Sequence, residues 1–424
     1  MHNNIRVPAM VAALLFIGCV IVPVTALSIV PAWTVSSPDE NPVRGISVSD
    51  DGSRFLVLGS RLMMLSGEGK TLWSREAGGV AAMSRNGAYV VTASGESLKL
   101  LDRNGETLWI QNVGAPINVV SISPDGSLVA SDDSRGYLIV YNKGGTLVGR
   151  ARMDPATNIA IVPTADMVVI ASDAGLRFVN PGSDLLWTDN RSGSLETLIA
   201  CSADGSIIYT AGGNRVSSHS RTGTLNWQKE VTTEAIMEMV CSAAGDVIVL
   251  GSQDKNVYVL DASGTTREKY PVGKWINAVS VSRDGSLVAA GDTDRYLTVF
   301  FRNGTLVGTV RAARIIQPHS VAISPAGNRV VIGDEITVYG YTIGANLKSV
   351  EETATPRRTV TRTSVATPVP VITAELTELP TPEVSVTEDQ PEVAATTTTK
   401  QSPLSLAAFI CAGVILAVVF RRRA

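Results

Sequence analysis

The sequence predicts an all-β fold, an eight-bladed β-propeller, and three observations carry that expectation. A hairpin phrase recurs along the chain: residues 121–131 read SISPDGSLVAS and residues 280–290 read SVSRDGSLVAA, an apolar alternation broken by a turn signal and then resumed. The phrase returns around Gly52, Gly87, Gly126, Gly205, Gly245, Gly285 and Gly327, with Asp166 in the glycine's place in a decayed copy. The eight copies lie 35 to 42 residues apart, and a mean period of about 39 is that of a four-stranded blade. Composition agrees: 45% hydrophobic but only 5% aromatic residues, with 37 Gly and 20 Pro, suits a core of small and β-branched side chains joined by many turns.

The N-terminus places Arg6 before an uncharged apolar run from Val7 to Val24 that closes on Thr25 and Ala26, so residues 1–26 read as a secretory signal peptide. An uncleaved N-terminal anchor and lipid attachment at Cys19 are the alternatives. Residues 27–345 are assigned to the propeller. Within each unit a second hairpin follows the first, as in LKLLDRNGETLW (98–109), LIVYNKGGTLV (138–148) and LTVFFRNGTLV (297–307). Asn-Gly and Gly-Gly suggest two-residue turns in which both central residues take positive φ. Four strands of five or six residues with their connections use the whole period, so no helix fits inside a unit. In the first strand, apolar residues such as Ile122 and Val281 alternate with small ones such as Ser121 and Ala200, which predicts a strand dry on both faces.

Trp73, Trp109, Trp187 and Trp227 each follow their anchor by 21 or 22 residues, in the fourth strand. Trp33 precedes Gly52 by 19, close to the 18 that separate Trp187 or Trp227 from the next anchor, whereas the eighth unit runs out after Ile336–Thr342. Residues 31–37 are therefore expected to supply its fourth strand and close the ring.

Residues 346–402 hold 14 Thr, 6 Pro and no aromatic residue, too little apolar surface to offset the entropy of ordering, and are expected to form a disordered stalk. Residues 403–420 contain the uncharged run Leu404–Phe420, about 25 Å as a helix, which predicts one C-terminal transmembrane span. Residues 421–424 begin with Arg421, Arg422 and Arg423, which the positive-inside rule keeps in the cytoplasm, leaving the propeller outside the cell membrane.

The SPDG-type hairpin resembles that of the WD-repeat family, although the Trp-Asp pair that names it is absent. The turn followed by Trp, as in DRNGETLW and GEGKTLW, resembles the tryptophan-docking repeat of quinoprotein-like propellers, which commonly have eight blades. The likeness spans about residues 31–342. The order of signal, propeller, Thr/Pro stalk, apolar helix and arginines resembles archaeal surface-layer-associated proteins with a C-terminal anchor.

A quinone-dependent enzyme of that kind implies adjacent cysteines and calcium-binding carboxylates, and this chain has no adjacent cysteines. With three His and four Cys in all, nothing suggests a metal site, and no Ser or Cys has a nucleophile's flanking pattern near His219 or His319. The 36 basic and 39 acidic residues, a net charge of −3, argue against nucleic acid. No catalytic, cofactor or metal residue is therefore assigned.

Candidate binding residues are Arg44, Asn118, Asn158, Asn277 and His319, eight positions before their anchors, where the first strand begins near the mouth of the channel. Asx capping is the alternative role; amides there would suit a neutral polar ligand such as a sugar. The loops between second and third strands carry Asp132, Asp133, Asp254, Asp292 and Asp334, read as turn formers or as a mildly acidic face. Cys201 and Cys241 hold equivalent positions in neighbouring units, as core fillers or a disulfide. Asn190 and Asn303 open glycosylation sequons. The expected function is a non-catalytic, membrane-anchored extracellular interaction module for a protein or glycan. A degenerate quinoprotein-like enzyme and a structural envelope component are the alternatives.

Overall fold

The computed structural model describes residues 27–345, apart from 38–40, 77, 165 and 190–197. The expected signal peptide, stalk, transmembrane helix and cytoplasmic tail lie outside the described residues, as does Asn190. Among the described residues no helix is long and apolar enough to cross a membrane.

The described residues form eight four-stranded antiparallel sheets. Blades 1 to 7 run consecutively from Gly45 to Arg311; blade 3, for example, comprises Ile117–Ile122, Leu128–Asp133, Tyr137–Asn142 and Leu147–Arg152. Blade 8 takes Val321–Ile323, Arg329–Gly333 and Thr337–Ala345, and its fourth strand is the N-terminal Leu27–Ser36. That strand pairs from Leu27↔Ala345 to Ser36↔Thr337, with a bulge between Pro31 and Trp33. It is longer than the sequence suggests because residues 27–30 continue the same ladder.

The apolar core is divided into eight clusters, one in each seam between neighbouring blades. The driest strands are the second and third: Val247–Ser252 and Leu287–Asp292 are buried at every position, whereas the first strands Gly45–Val48, Val80–Met83 and Leu198–Cys201 are only half-buried. The first strand's free edge borders the channel, so the expectation that it is dry on both faces holds for its neighbours instead.

The second-hairpin turns also differ from expectation. In blade 2, Gly105 N donates to Asp102 O and Asp102 N to Glu106 O, while Asp102 Oδ1 accepts from Asn104 N and Glu106 N. This is a longer loop closed by a glycine bulge; Gly105 takes φ +79° and Asn104 does not have positive φ. A Cβ on Gly105 would lie 2.8 Å from the Trp73 ring, so both the bend and the blade seam require glycine.

Trp73, Trp109 and Trp227 each rest on such a turn of the next blade and donate their indole N–H to a backbone carbonyl there, at 2.8 to 3.0 Å. Trp33 does the same from blade 8 to blade 1, donating to Gly67 O at 3.0 Å, so the ring closes with the contact made at three of its other seams.

On the face of the first hairpins, the turns converge on the axis and bond to one another: Asp50 N to Arg85 O, Asn86 N to Pro124 O, Ala203 N to Ala243 O, Ala243 N to Arg283 O, and Arg283 N to Pro325 O. Pro124, Pro163 and Pro325 have no N–H to continue the circle. Blade 4 corrects the repeat alignment. Ile161 pairs with Val168 as Ile122 pairs with Val129, so the anchor's equivalent is position 165, not Asp166.

Candidate functional site

The opposite face, where the links between blades meet the turns joining second and third strands, carries the sequence-derived candidates. Most of its aspartates serve the backbone. Asp133 Oδ1 accepts from Arg135 N and Tyr137 N, Asp292 Oδ1 from Asp294 N and Tyr296 N, and Asp334 Oδ1 from Ile336 N and Thr337 N. Asp132 differs. It is fully buried, its Oδ1 accepts the Ala156 N–H of blade 4 at 2.9 Å, and its Oδ2 has no partner. Burial, with the Asp133 charge adding to it, pushes the Asp132 carboxyl up to about 7.

Of the five predicted mouth residues, Asn277 and His319 each bond through their side chains to another segment of the ring. The Asn277 amide donates to Ile316 O at 2.9 Å, and His319 Nδ1 lies 3.1 Å from Glu238 Oε1. Glu238, from the first strand of blade 6, also accepts the Val279 N–H of blade 7 through Oε2 at 3.0 Å, while His319 O accepts the Ile46 N–H of blade 1 at 2.8 Å. The Glu238 carboxylate, the His319 imidazole and the His319 carbonyl thereby tie four successive blades along the channel edge. Arg44 instead donates to Gly59 O within its own blade at 2.6 Å, and Asn118 is exposed. Asn158 stands one register step later, at the position equivalent to Glu238, because each follows the bulge of its own first strand.

The hydrogen bond and charge of Glu238 raise the His319 pKa above 6.5, against a smaller opposing effect of burial. The contribution of this bond is complete at acidic pH and is lost as pH rises through that raised value. In Glu238→Gln the imidazole titration followed by NMR is expected to fall back toward 6.5; an unmoved midpoint would show that the pair does not form in solution.

Two residues escaped the sequence reading. Glu238 is the one charged residue at its place in the eight copies, and Trp275 is the one tryptophan beyond residue 26 that breaks the fourth-strand register. Trp275 lies in the link before blade 7 and is 53% exposed. It lines a hollow of about 450 Å³ with Thr233, Glu234, Gln253, Asp254 and Lys255.

Cys201 and Cys241 are free thiols, not the disulfide considered from sequence. Their side chains face opposite sides of blade 5, Cys201 in the seam with blade 4 and Cys241 in the seam with blade 6, and burial pushes both up to about 12. His219 is buried with Nε2 at 2.9 Å from Asp189 Oδ2. Asn303 is exposed, with Oδ1 accepting from Thr305 N at 3.1 Å. Among the described residues no group of three or more His, Cys, Asp or Glu could hold a metal ion.

A family model described as outer membrane protein assembly factor BamB matches residues 30–154 and 94–239. The C-terminal WD40 domain of Sif2 superposes with a TM-score of 0.62 at 15% identity, covering 75% of this chain and 99% of that one. Chaetomium thermophilum Sqt1, solved bound to the N-terminus of ribosomal protein L10, gives 0.60 at 14% identity, with 72% and 97% coverage. The Dos1 propeller gives 0.61 at 14%, with 74% and 95%. No curated protein matches the chain at a significant level. The chain is an eight-bladed β-propeller, similar over residues 30–239 to that family model and similar in fold to those WD40-type propellers. At these identities the solved structures speak for the fold alone.

Proposed function

We propose that the protein is a non-catalytic interaction module, exported and held at the cell membrane by its C-terminal span, that offers the mouth face of its propeller to a protein or glycan. The observation that carries this reading is where the repeat breaks. On the first-hairpin face Asp51, Asp125, Asp204 and Asp284 each accept from the Ser two residues before and the Ser two residues after, the same turn in four blades. The unrepeated side chains, Glu238, His319 and Trp275, collect at the mouth. Turn chemistry that repeats is demanded by every blade; side chains that occur once are not demanded by the repeat, and they can be selected for recognition even where, as with Glu238 and His319, they also brace neighbouring blades. The apolar runs at both ends and the three terminal arginines support the anchored, outward-facing placement.

The full chain in lipid nanodiscs, screened against cell-surface glycans and envelope proteins, is expected to retain a partner. Arg44→Glu with Asn118→Glu should weaken binding about tenfold or more, while Asp125→Asn on the opposite face leaves it unchanged. Binding indifferent to the mouth substitutions would reject the reading.

A further inference from the structure

The hollow beside Trp275 is built from three separate pieces of chain, each fixed from behind. The link from blade 5 to blade 6 contributes Thr233 and Glu234, the turn between second and third strands of blade 6 contributes Gln253, Asp254 and Lys255, and the link from blade 6 to blade 7 contributes Trp275. Asp254 joins the first two pieces. Its Oδ2 accepts from Thr233 N and Thr233 Oγ1 at 3.2 Å and from Tyr258 OH at 2.5 Å, and its Oδ1 accepts from Asn256 N at 3.1 Å. Burial opposes ionisation of Asp254, but these hydrogen bonds outweigh it and hold the carboxyl below the usual 3.8. The third piece is pinned where Thr293 N donates to Trp275 O at 3.0 Å, and Gly273 just before it faces open space. The backbone of the walls is therefore set without a ligand, so the ordering cost of binding falls on the side chains alone.

The side chains left over are of three kinds. The Glu234 carboxylate accepts only, the Lys255 ammonium donates only, and the indole presents one flat apolar face with an N–H at its edge; none of them bonds to another described residue. Gln253 donates its amide N–H to the Met237 sulfur at 3.2 Å, which leaves its carbonyl as a further acceptor. No second apolar side chain lines the hollow. A peptide anchored by an apolar side chain needs a pocket that encloses it, whereas here five polar residues surround a single exposed plane. A pyranose ring has the matching form: a C–H face that stacks on an aromatic plane and a rim of hydroxyls that both donate and accept. A volume of about 450 Å³ lies within the range of small-ligand clefts.

We infer that this hollow is a carbohydrate site, in which a neutral sugar ring stacks on Trp275 and its hydroxyls bond to Glu234, Gln253 and Lys255. The assignment rests on the interaction-module reading and narrows its partner to a glycan and its contact to the seam between blades 6 and 7.

The test uses the full chain in detergent micelles, labelled with 5-fluorotryptophan at its six tryptophans, the Trp275 resonance being identified by its loss in Trp275→Phe. Titration with tetrasaccharides of glucose, mannose and N-acetylglucosamine is expected to shift that resonance saturably while those of Trp73 and Trp109 stay in place. Trp275→Ala should weaken binding about tenfold or more with an unchanged melting temperature, since the side chain is exposed. Glu234→Gln, which keeps the shape and loses the charge, should weaken it severalfold. No shift with any of the three sugars overturns the sugar assignment; if a surface protein nevertheless binds the mouth, the module reading stands without it. Sugar binding that Trp275→Ala leaves intact overturns the site.

Discussion

Deletion of residues 27–36 is expected to lower the melting temperature by roughly 10 °C or more, because it removes a whole strand and unfastens the ring. The strand makes nine register pairs with Thr337–Ala345 and brings Leu27 and Ile29 into the cluster between blades 7 and 8 and Trp33 and Val35 into that between blades 8 and 1. Trp33→Ala isolates the second half of this. A large aromatic truncated in a packed seam typically costs about 3–5 kcal/mol, and a domain of this size loses roughly 2–4 °C per kcal/mol. Gly340 offers a second route, since a Cβ there would run into the Trp33 ring. Gly340→Ala is expected to destabilise the wild-type chain and to do much less once Trp33 is already alanine. Calorimetric melts read all three; a deletion variant that melts with the intact chain would mean that the N-terminal strand is not part of the ring.

Asp132 governs the second large effect, which appears only as a function of pH. Its folded carboxyl sits at about 7 against 3.8 for a free one, so the folded state holds the proton more tightly than the unfolded chain does. The stability tied to that proton is fully present below about 3.8 and is lost as pH rises to about 7. The separation corresponds to ~4 kcal/mol at most. Asp132→Asn removes the titration and keeps an oxygen for the Ala156 N–H. Urea midpoints between pH 4 and 8 should therefore show the variant gaining on the wild type as pH rises, with the difference level above about pH 7.5. A difference that does not change with pH would mean that Asp132 is solvated in the fold.

The ring was legible because its parts repeat. Eight SPDG-like turns gave the blade count, and the spacing of Trp33 from Gly52 pointed to closure, since a tryptophan that rests on the next blade's turn must keep a fixed distance from it. Finer detail failed where one residue looked like another. Asp166 resembles a turn residue but stands one place after the turn's true equivalent, which only the pairing of Ile161 with Val168 reveals. Asn-Gly fits a two-residue turn equally well as a spelling, but the capping by Asp102 selects the longer loop with its bulge. The mouth was harder to read, because a search for repeats treats side chains that occur once as noise. Asn277 and His319 were found by position, yet Glu238, which holds His319, lies one residue off that position after a bulge. Trp275 did leave a signal: five tryptophans beyond residue 26 share a register and it does not.

The antiparallel couple Leu27↔Ala345 also has a topological meaning. Partners in such a ladder stand about 5 Å apart, close enough for a tight two-residue turn to join them. The covalent gap in the polypeptide is thus a nick in an otherwise endless loop, and it could be moved by circular permutation to any link between blades. It also sets the response to force. Tension applied between residues 27 and 345 falls first on a single couple at the end of the ladder, so the outermost strand would peel away pair by pair, as a zipper opens, before the other seven blades bear any load.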